Sequence, residues 1–235
     1  MKFIDFLFPP HCIICKKPSN KNALFYKYIC SSCLKKIEIN KKDYCLACKK
    51  EHPFGKTCKK CSKDFSLSGV IVLSSYKNPM LKEAIHCLKY KHIRSLSLPL
   101  AWLMKGRLGK FSWQDKKDWL IIPVPLAKKR QRKRGFNQAE LLSRNLSFWL
   151  GIKNRSDIIE RTKFNSPQTN IEDSIKRKEN VKDSFVLKKD LGLAISENTK
   201  IMLIDDVLTT GATLNECAKV LSPYVKEVWA CVIAH

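Results

Sequence analysis

Two groups of residues in this chain are spaced so that they can do chemistry. The first is Ile201–Thr213, IMLIDDVLTTGAT, where an apolar stretch ends in two adjacent carboxylates and a hydroxyl-rich turn with one glycine follows. Asp205 and Asp206 stand where the carboxyl edge of a sheet presents ligands. There they can accept hydrogen bonds from the vicinal hydroxyls of a sugar and steady a Mg2+. Thr209, Thr210, Gly211, Ala212 and Thr213 offer backbone N–H groups and hydroxyls to a phosphate at the start of a helix, whose dipole favours an anion. Gly211 lets the backbone come close to it. A DD pair alone could equally be two solvated carboxylates ahead of a capped helix. The complete pattern favours a ligand site.

The second group is sulfur. Of eleven cysteines, eight fall in four CxxC pairs: Cys12/Cys15, Cys30/Cys33, Cys45/Cys48 and Cys58/Cys61. Two such pairs supply four thiolates, enough to close a tetrahedral zinc site, and the two-residue gap lets one tight turn aim both sulfurs at one ion. The set therefore predicts two structural Zn2+ ions in tandem ribbons, with sequential pairing expected over a cross-braced one. A disulfide-stapled secreted domain, an iron–sulfur site and a redox pair are the competing readings. Without a signal peptide, and with four regularly placed pairs, zinc is favoured. His11 and His52 lie near the clusters and are expected to be bystanders.

The elements that must position these groups follow from pattern. Residues 69–75 read as a strand rich in β-branched side chains, and Pro79 opens a helix with Leu81, Ile85 and Leu88 at helical spacing. His86 and Cys87 on that helix, like Cys217 and Cys231 later, are read as packing. Trp119–Pro123 is a buried strand and Asn137–Leu150 a helix. The polar stretch 153–183 carries no clear periodicity. Strand 200–204, helix 212–221 and strand 227–234 close the chain. Strands alternating with helices predict an α/β fold with a mainly parallel sheet covered on both faces. The composition shifts near 63–68, so the expected division is 1–64 for the double ribbon and 65–235 for the second domain.

Formal net charge is +24, from 45 basic and 21 acidic side chains. Either a polyanionic partner or a lysine-rich surface accounts for this, and charge alone does not choose. The ribbon segment carries fifteen lysines against five acidic residues through Asp64, and stays basic when eight thiolates and two divalent ions are counted. No interleaved aromatic ladder favours base stacking there. Its small apolar content means that metal binding must supply much of its folding free energy. No apolar run approaches the ~20 residues that span a bilayer. The start, MKFIDFLFPPHC, reads as mature sequence, which leads to a cytoplasmic expectation.

IMLIDDVLTTGAT closely resembles the phosphoribosyl pyrophosphate (PRPP) signature of type I phosphoribosyltransferases. A narrower resemblance spans the whole chain, to the ComF family of competence proteins (the ComF/GntX group). It is carried by FPPHCIIC at 8–15, the CxxC series, CLKY at 87–90, IIPVPLAKKRQRKRGFNQAELL at 121–142, RTKFNSPQ at 161–168, RKEN at 177–180 and the signature itself. It implies a Rossmann-like type I phosphoribosyltransferase domain, preceded by a small N-terminal tandem four-cysteine zinc-ribbon module. PRPP with Mg2+ is the implied ligand, with Asp205 and Asp206 as its catalytic pair.

In that resemblance Val124 and Pro125 fall at the pyrophosphate contacts, and Arg134, Asn137 and Gln138 of RGFNQ face the site. Lys128, Lys129, Arg130, Arg132, Lys133 and Arg134 form a basic run. It reads either as a solvated loop or as a mobile loop that neutralises pyrophosphate and excludes water from C1. Arg161, Gln168, Arg177 and Asn180 are weaker candidates.

The implied function is competence: natural transformation and cytoplasmic handling of imported single-stranded DNA. A DNA-translocating helicase and other competence proteins are implied as partners. A metabolic phosphoribosyltransferase of nucleotide salvage, and a zinc-ribbon adaptor bridging uptake proteins, are the alternatives. No acceptor is legible, and turnover is left open.

Overall fold

The computed structural model describes residues 10–19, 24–111, 113, 115–162, 182–188 and 195–235. The first cysteine-rich stretch is built as two copies of one knuckle. In each, the chain folds back on itself through an isolated antiparallel bridge, His11 with Pro18 and Tyr44 with Glu51. The same hydrogen bonds recur: Cys12 N–H to Lys17 O and Lys16 N–H to Cys12 O, then Cys45 N–H to Lys50 O and Lys49 N–H to Cys45 O. Each turn ends in a lysine with positive φ, 61° at Lys16 and 59° at Lys49. The second pair of each ribbon sits on a short helical turn, α1 (Ser31–Lys35) for Cys33 and a 3-10 turn at Cys61–Lys63.

Strand β1 (Gly69–Ser74) leads into α2 (Pro79–Tyr90), which starts with Asn78 capping the Leu81 N–H and proline at the first turn. Then come α3 (Ser97–Leu108), β2 (Trp119–Pro123), α4 (Lys128–Arg134), α5 (Gln138–Leu150) and β3 (Lys153–Asn154). An antiparallel pair, β4 (Ile159–Arg161) and β5 (Phe185–Leu187), precedes β6 (Lys200–Val207), α6 (Ala212–Leu221) and β7 (Glu227–Ala234). The five-stranded sheet runs β1-β7-β6-β2-β3 with every pairing parallel.

Alternation along β6 explains the continuous apolar run. Met202 and Ile204 enter one core with α2, α3 and α5, while Ile201 and Leu203 enter the other with α6 and the β4–β5 hairpin. The first core also takes Ile29, Leu34 and Ile37 from the first ribbon, and the second takes Leu46 from the second ribbon. Both ribbons are thus packed against the sheet, and the second reaches both faces, since its Phe54 lies against the first core.

The α/β class, the parallel sheet and the long elements match the sequence expectations. Four points differ. Helix α3 went unseen because it buries residues around much of its circumference, from Pro99 and Leu100 to Leu103, Met104 and Arg107, leaving no clean stripe. The basic run Lys128–Arg134 is helix α4, not a loop: its Lys, Arg and Gln are good helix formers, and Gly135 ends it with φ 69°. Strand β6 extends past Ile204 through both aspartates, because β7 keeps pairing as far as Val207 with Ala234. The β3 and β4 strands lie in the stretch without periodicity and β5 just beyond it, and each is held by its neighbours. Among the described residues, no helix is long and apolar enough to cross a membrane.

Candidate functional site

The eight paired cysteines form two clusters, Cys12, Cys15, Cys30 and Cys33, then Cys45, Cys48, Cys58 and Cys61; within each, all four sulfurs lie within 4.8 Å of one another. The pairing is sequential. Zn–S bonds of about 2.3 Å in a tetrahedron put sulfurs about 3.8 Å apart. Cys15 and Cys30 Sγ are 3.8 Å apart, as are those of Cys48 and Cys58. The donor set and its dimensions fit structural Zn2+ in both ribbons. Burial raises the Cys45 thiol, but N–H groups of Cys48, Cys58 and Ala47 outweigh it and bring the group down to about 6. The knuckle N–H groups thus favour thiolate at Cys45, while the Cys58 sulfur first pushes the Cys61 thiol of the same cluster up to about 12, so that a metal entering must displace protons. His11 and His52 belong to neither cluster.

The second centre is a cavity of 660 Å³ at the carboxyl ends of β2 and β6. Carboxylates form its floor. Successive residues of a strand face opposite sides, so Asp206 turns toward α2 and Asp205 toward α6. Asp206 is buried and ion-paired, its Oδ2 2.7 Å from Lys89 Nζ on α2. Asp205 Oδ1 accepts the Asp206 N–H at 2.8 Å. Burial, and then the neighbouring charge of Asp206, push the Asp205 carboxyl up to about 7.

Cations line the facing wall. Arg130 and Arg134 come from α4, and Arg161 from the end of β4. Arg134 donates to Gln138 Oε1 at 3.0 Å and stacks over the Tyr90 ring at 5.2 Å. Arg161 lies over the Phe185 ring at 5.4 Å, and its buried Nε has no hydrogen-bond partner. Burial, and then Arg130, lower its pKa. An anion in the cavity would relieve both costs.

Thr209, Thr210 and Thr213 line the same cavity around the start of α6, and Val124 and Pro125 close it from β2. Of the basic run only Arg130 and Arg134 line the cavity; the other sequence-predicted residues among those described converge, with three exceptions. Asn137 is buried below the cavity: its amide donates to Val124 O at 3.0 Å and its Oδ1 accepts from Ala139 N–H at 3.0 Å, so it caps α5 and fixes the Val124 turn. Gly211 is buried with φ 80°, and a Cβ there would lie 2.4 Å from Leu46 Cδ2 of the second ribbon. Ala212 lines a separate depression beside Asn215 and Lys219. Gln168, Arg177 and Asn180 lie outside the described residues.

Lys89, Tyr76 and His235 line the cavity without having been singled out. For Lys89 a signal existed, since it follows Ile85 by one helical turn and so points into the buried face of α2. The segment after it also holds the site: His92 Nδ1 is 3.0 Å from Arg134 O, and Arg94 donates to Gly135 O at 3.0 Å. Tyr76 and His235 had no sequence signal. Cys87, Cys217 and Cys231 are buried in the core, as their contexts suggested.

Residues 3–66 match the family described as the double zinc ribbon domain. Over 231 residues the chain is 35% identical to Competence protein F of Haemophilus influenzae, covering 94% of this chain and 93% of that protein. It is 30% identical to DNA utilization protein YhgH of Salmonella typhimurium, over 91% of each. With Competence protein ComFC of Bacillus subtilis the identity is 24%, over 89% of this chain and 88% of that one.

Proposed function

The chain belongs to the family of Competence protein F and ComFC, and from that membership we propose that it serves natural transformation through a PRPP-binding site. Its action is the cytoplasmic handling of imported single-stranded DNA. The names of the relatives, two competence proteins and a DNA utilization protein, support the setting, and the formal charge of +24 suits a polyanionic partner.

One observation carries the ligand: two strand-end carboxylates, three arginines and three threonines face a single cavity of 660 Å³. In this reading Arg130, Arg134 and Arg161 neutralise the pyrophosphate. The Thr209–Thr213 turn takes the 5-phosphate at the start of α6, where N–H groups and dipole favour an anion. Asp205 faces the ribose hydroxyls, and an oxygen-rich set of this kind suits Mg2+ carried in with the phosphates. Mg2+ would supply charge neutralisation; the chain's own residues orient the sugar and exclude water. Lys89 pairs with Asp206 beneath the cavity. The 1–64 and 65–235 division assigns the metal to scaffold and the sugar phosphate to the second domain.

Deletion in a competent host tests the function, with transformation frequency and growth on salvage bases measured side by side. Loss of transformation that an Asp205→Ala/Asp206→Ala gene does not restore supports the reading. Normal transformation with lost salvage growth would instead make it a metabolic phosphoribosyltransferase.

A further inference from the structure

The second ribbon holds the start of α6 at two points. One is Leu46, which directly follows Cys45 and is buried in the same core as Leu208 and Leu214. Its Cδ2, Cγ and Cδ1 all lie within 3.4 Å of where a Cβ on Gly211 would stand, so only glycine lets the ribbon come this close. The other point is Ser66, whose N–H donates to Asn215 Oδ1 at 2.9 Å in the first turn of α6. The Asn215 N–H in turn donates to Gly211 O at 2.9 Å. Both contacts therefore meet at Gly211, within the turn that carries Thr209, Thr210 and Thr213 to the 660 Å³ cavity.

The cysteine cluster joins the two points. Cys45 adjoins Leu46. Cys58 follows Thr57, whose N–H donates to Ser68 O at 2.8 Å and whose hydroxyl donates to Leu67 O at 2.6 Å. The stretch bearing Ser66 is thus tied beside Cys58. A zinc ion shared by Cys45 and Cys58 fixes Leu46 and Ser66 relative to each other, and free thiols lack that common bond. The first ribbon's Ile29, Leu34 and Ile37 lie in the other core.

We propose that the second ribbon is a zinc-closed clamp on the phosphate turn, so that zinc in its cluster and the sugar phosphate in the cavity raise each other's affinity. Leu46 and Asn215 are its positioning residues; neither lines the cavity. Coupling of this kind is reciprocal, and between two sites it commonly amounts to about 5–150-fold. The proposal rests on the sugar-phosphate reading of the cavity, but the first of its two tests needs no ligand.

That test is amide exchange on the full chain, zinc-loaded and zinc-stripped, with β7 as internal reference. Stripping quickens exchange at Thr209–Thr213 by about tenfold more than in β7. In Leu46→Ala/Asn215→Ala the turn already exchanges quickly with both zinc ions bound, and stripping adds little. The second test competes zinc away at equilibrium with a zinc-selective chromophoric chelator, with and without saturating Mg·PRPP. The ligand raises the chelator concentration needed to remove one of the two zinc ions by about tenfold, and the double variant loses that shift. Leu46→Met, which keeps the bulk at the contact, retains it. Exchange in the turn that merely follows β7 overturns the clamp. So does Mg·PRPP that binds without shifting either zinc ion, or a shift that survives in the double variant. If Mg·PRPP fails to bind while stripping selectively frees the turn, the clamp stands and the sugar-phosphate reading falls.

Discussion

Lys89 Nζ lies 2.7 Å from Asp206 Oδ2, with the lysine side chain 17% exposed and the aspartate 5%. The pair joins helix α2 to the end of β6 beneath the cavity. Removing one partner of a buried pair strands the other charge, at a cost of about 3–5 kcal/mol. Lys89→Ala should therefore lower stability by about that amount in denaturant titration. Replacing both partners, Lys89→Met with Asp206→Leu, should recover most of the stability but not Mg·PRPP binding. A double variant that still binds Mg·PRPP would remove the pair from the site.

Asp205 gives the site a pH dependence. Its carboxyl is raised from 3.8 to about 7, mainly by burial and then by Asp206. Between those values the folded chain holds a proton that the unfolded chain releases, so this group's stabilising contribution is lost as pH rises through the window. A Mg2+-bearing ligand needs the carboxylate, so its affinity should rise over the same window and level off above about 7. Asp205→Asn should flatten the rise attributable to the protein. Parallel profiles for the two proteins would show that the ligand alone titrates.

The second ribbon touches the phosphate turn. Gly211 has φ 80°, and a Cβ there would sit 2.4 Å from Leu46 Cδ2. Gly211→Ala should cost about 1–2 kcal/mol from backbone strain plus the clash, and should weaken Mg·PRPP. Adding Leu46→Ala should relieve only the clash, so thermal stability recovers in part. Full recovery would mean that the left-handed backbone carries no strain.

Zinc removal should loosen more than the ribbons. Ile29, Leu34 and Ile37 share one core with Ile71 and Leu81. Elemental analysis should find two zinc ions per chain. Stripping them with a chelator should lower the melting temperature of the whole chain and expose dye-binding apolar surface. A sheet that melts unchanged after complete removal would show that the first ribbon contributes nothing to that core.

Asn137 and Arg134 should separate cleanly. Asn137 holds the Val124 carbonyl and the start of α5, so Asn137→Ala should cost about 1–2 kcal/mol of stability, with a modest loss of ligand affinity. Arg134→Ala should do the opposite, losing ligand affinity with little change in melting. Equal affinity losses would make Asn137 a direct ligand contact.

Much of this was legible in the chain. The four CxxC pairs specify both sulfur clusters because the turn between paired cysteines is local, and IMLIDDVLTTGAT marks a strand, a turn and a helix in thirteen consecutive residues. What escaped depended on distance. Lys89 meets Asp206 across 117 positions of sequence, and His235 reaches the cavity only because β7 lies beside β6. Asn137 looked like a ligand contact because it sits in RGFNQ, yet its amide is consumed by Val124 O and Ala139 N–H. Helix α4 was misjudged for a different reason: charge density suggested solvation, while helix propensity and Gly135 decided the backbone.

The order β1-β7-β6-β2-β3 also has a consequence in time. Strand β7 fills the gap between β1 and β6, pairing Gly69 with Trp229 and Met202 with Trp229. During synthesis β1, with the ribbon core packed on it, must therefore wait for residues that leave the ribosome about 160 positions later. Until then its β7-facing edge is an open template for mispairing. The ribbons can close on their metal first, so in a nascent chain zinc would act as an early anchor for an edge that only late synthesis completes.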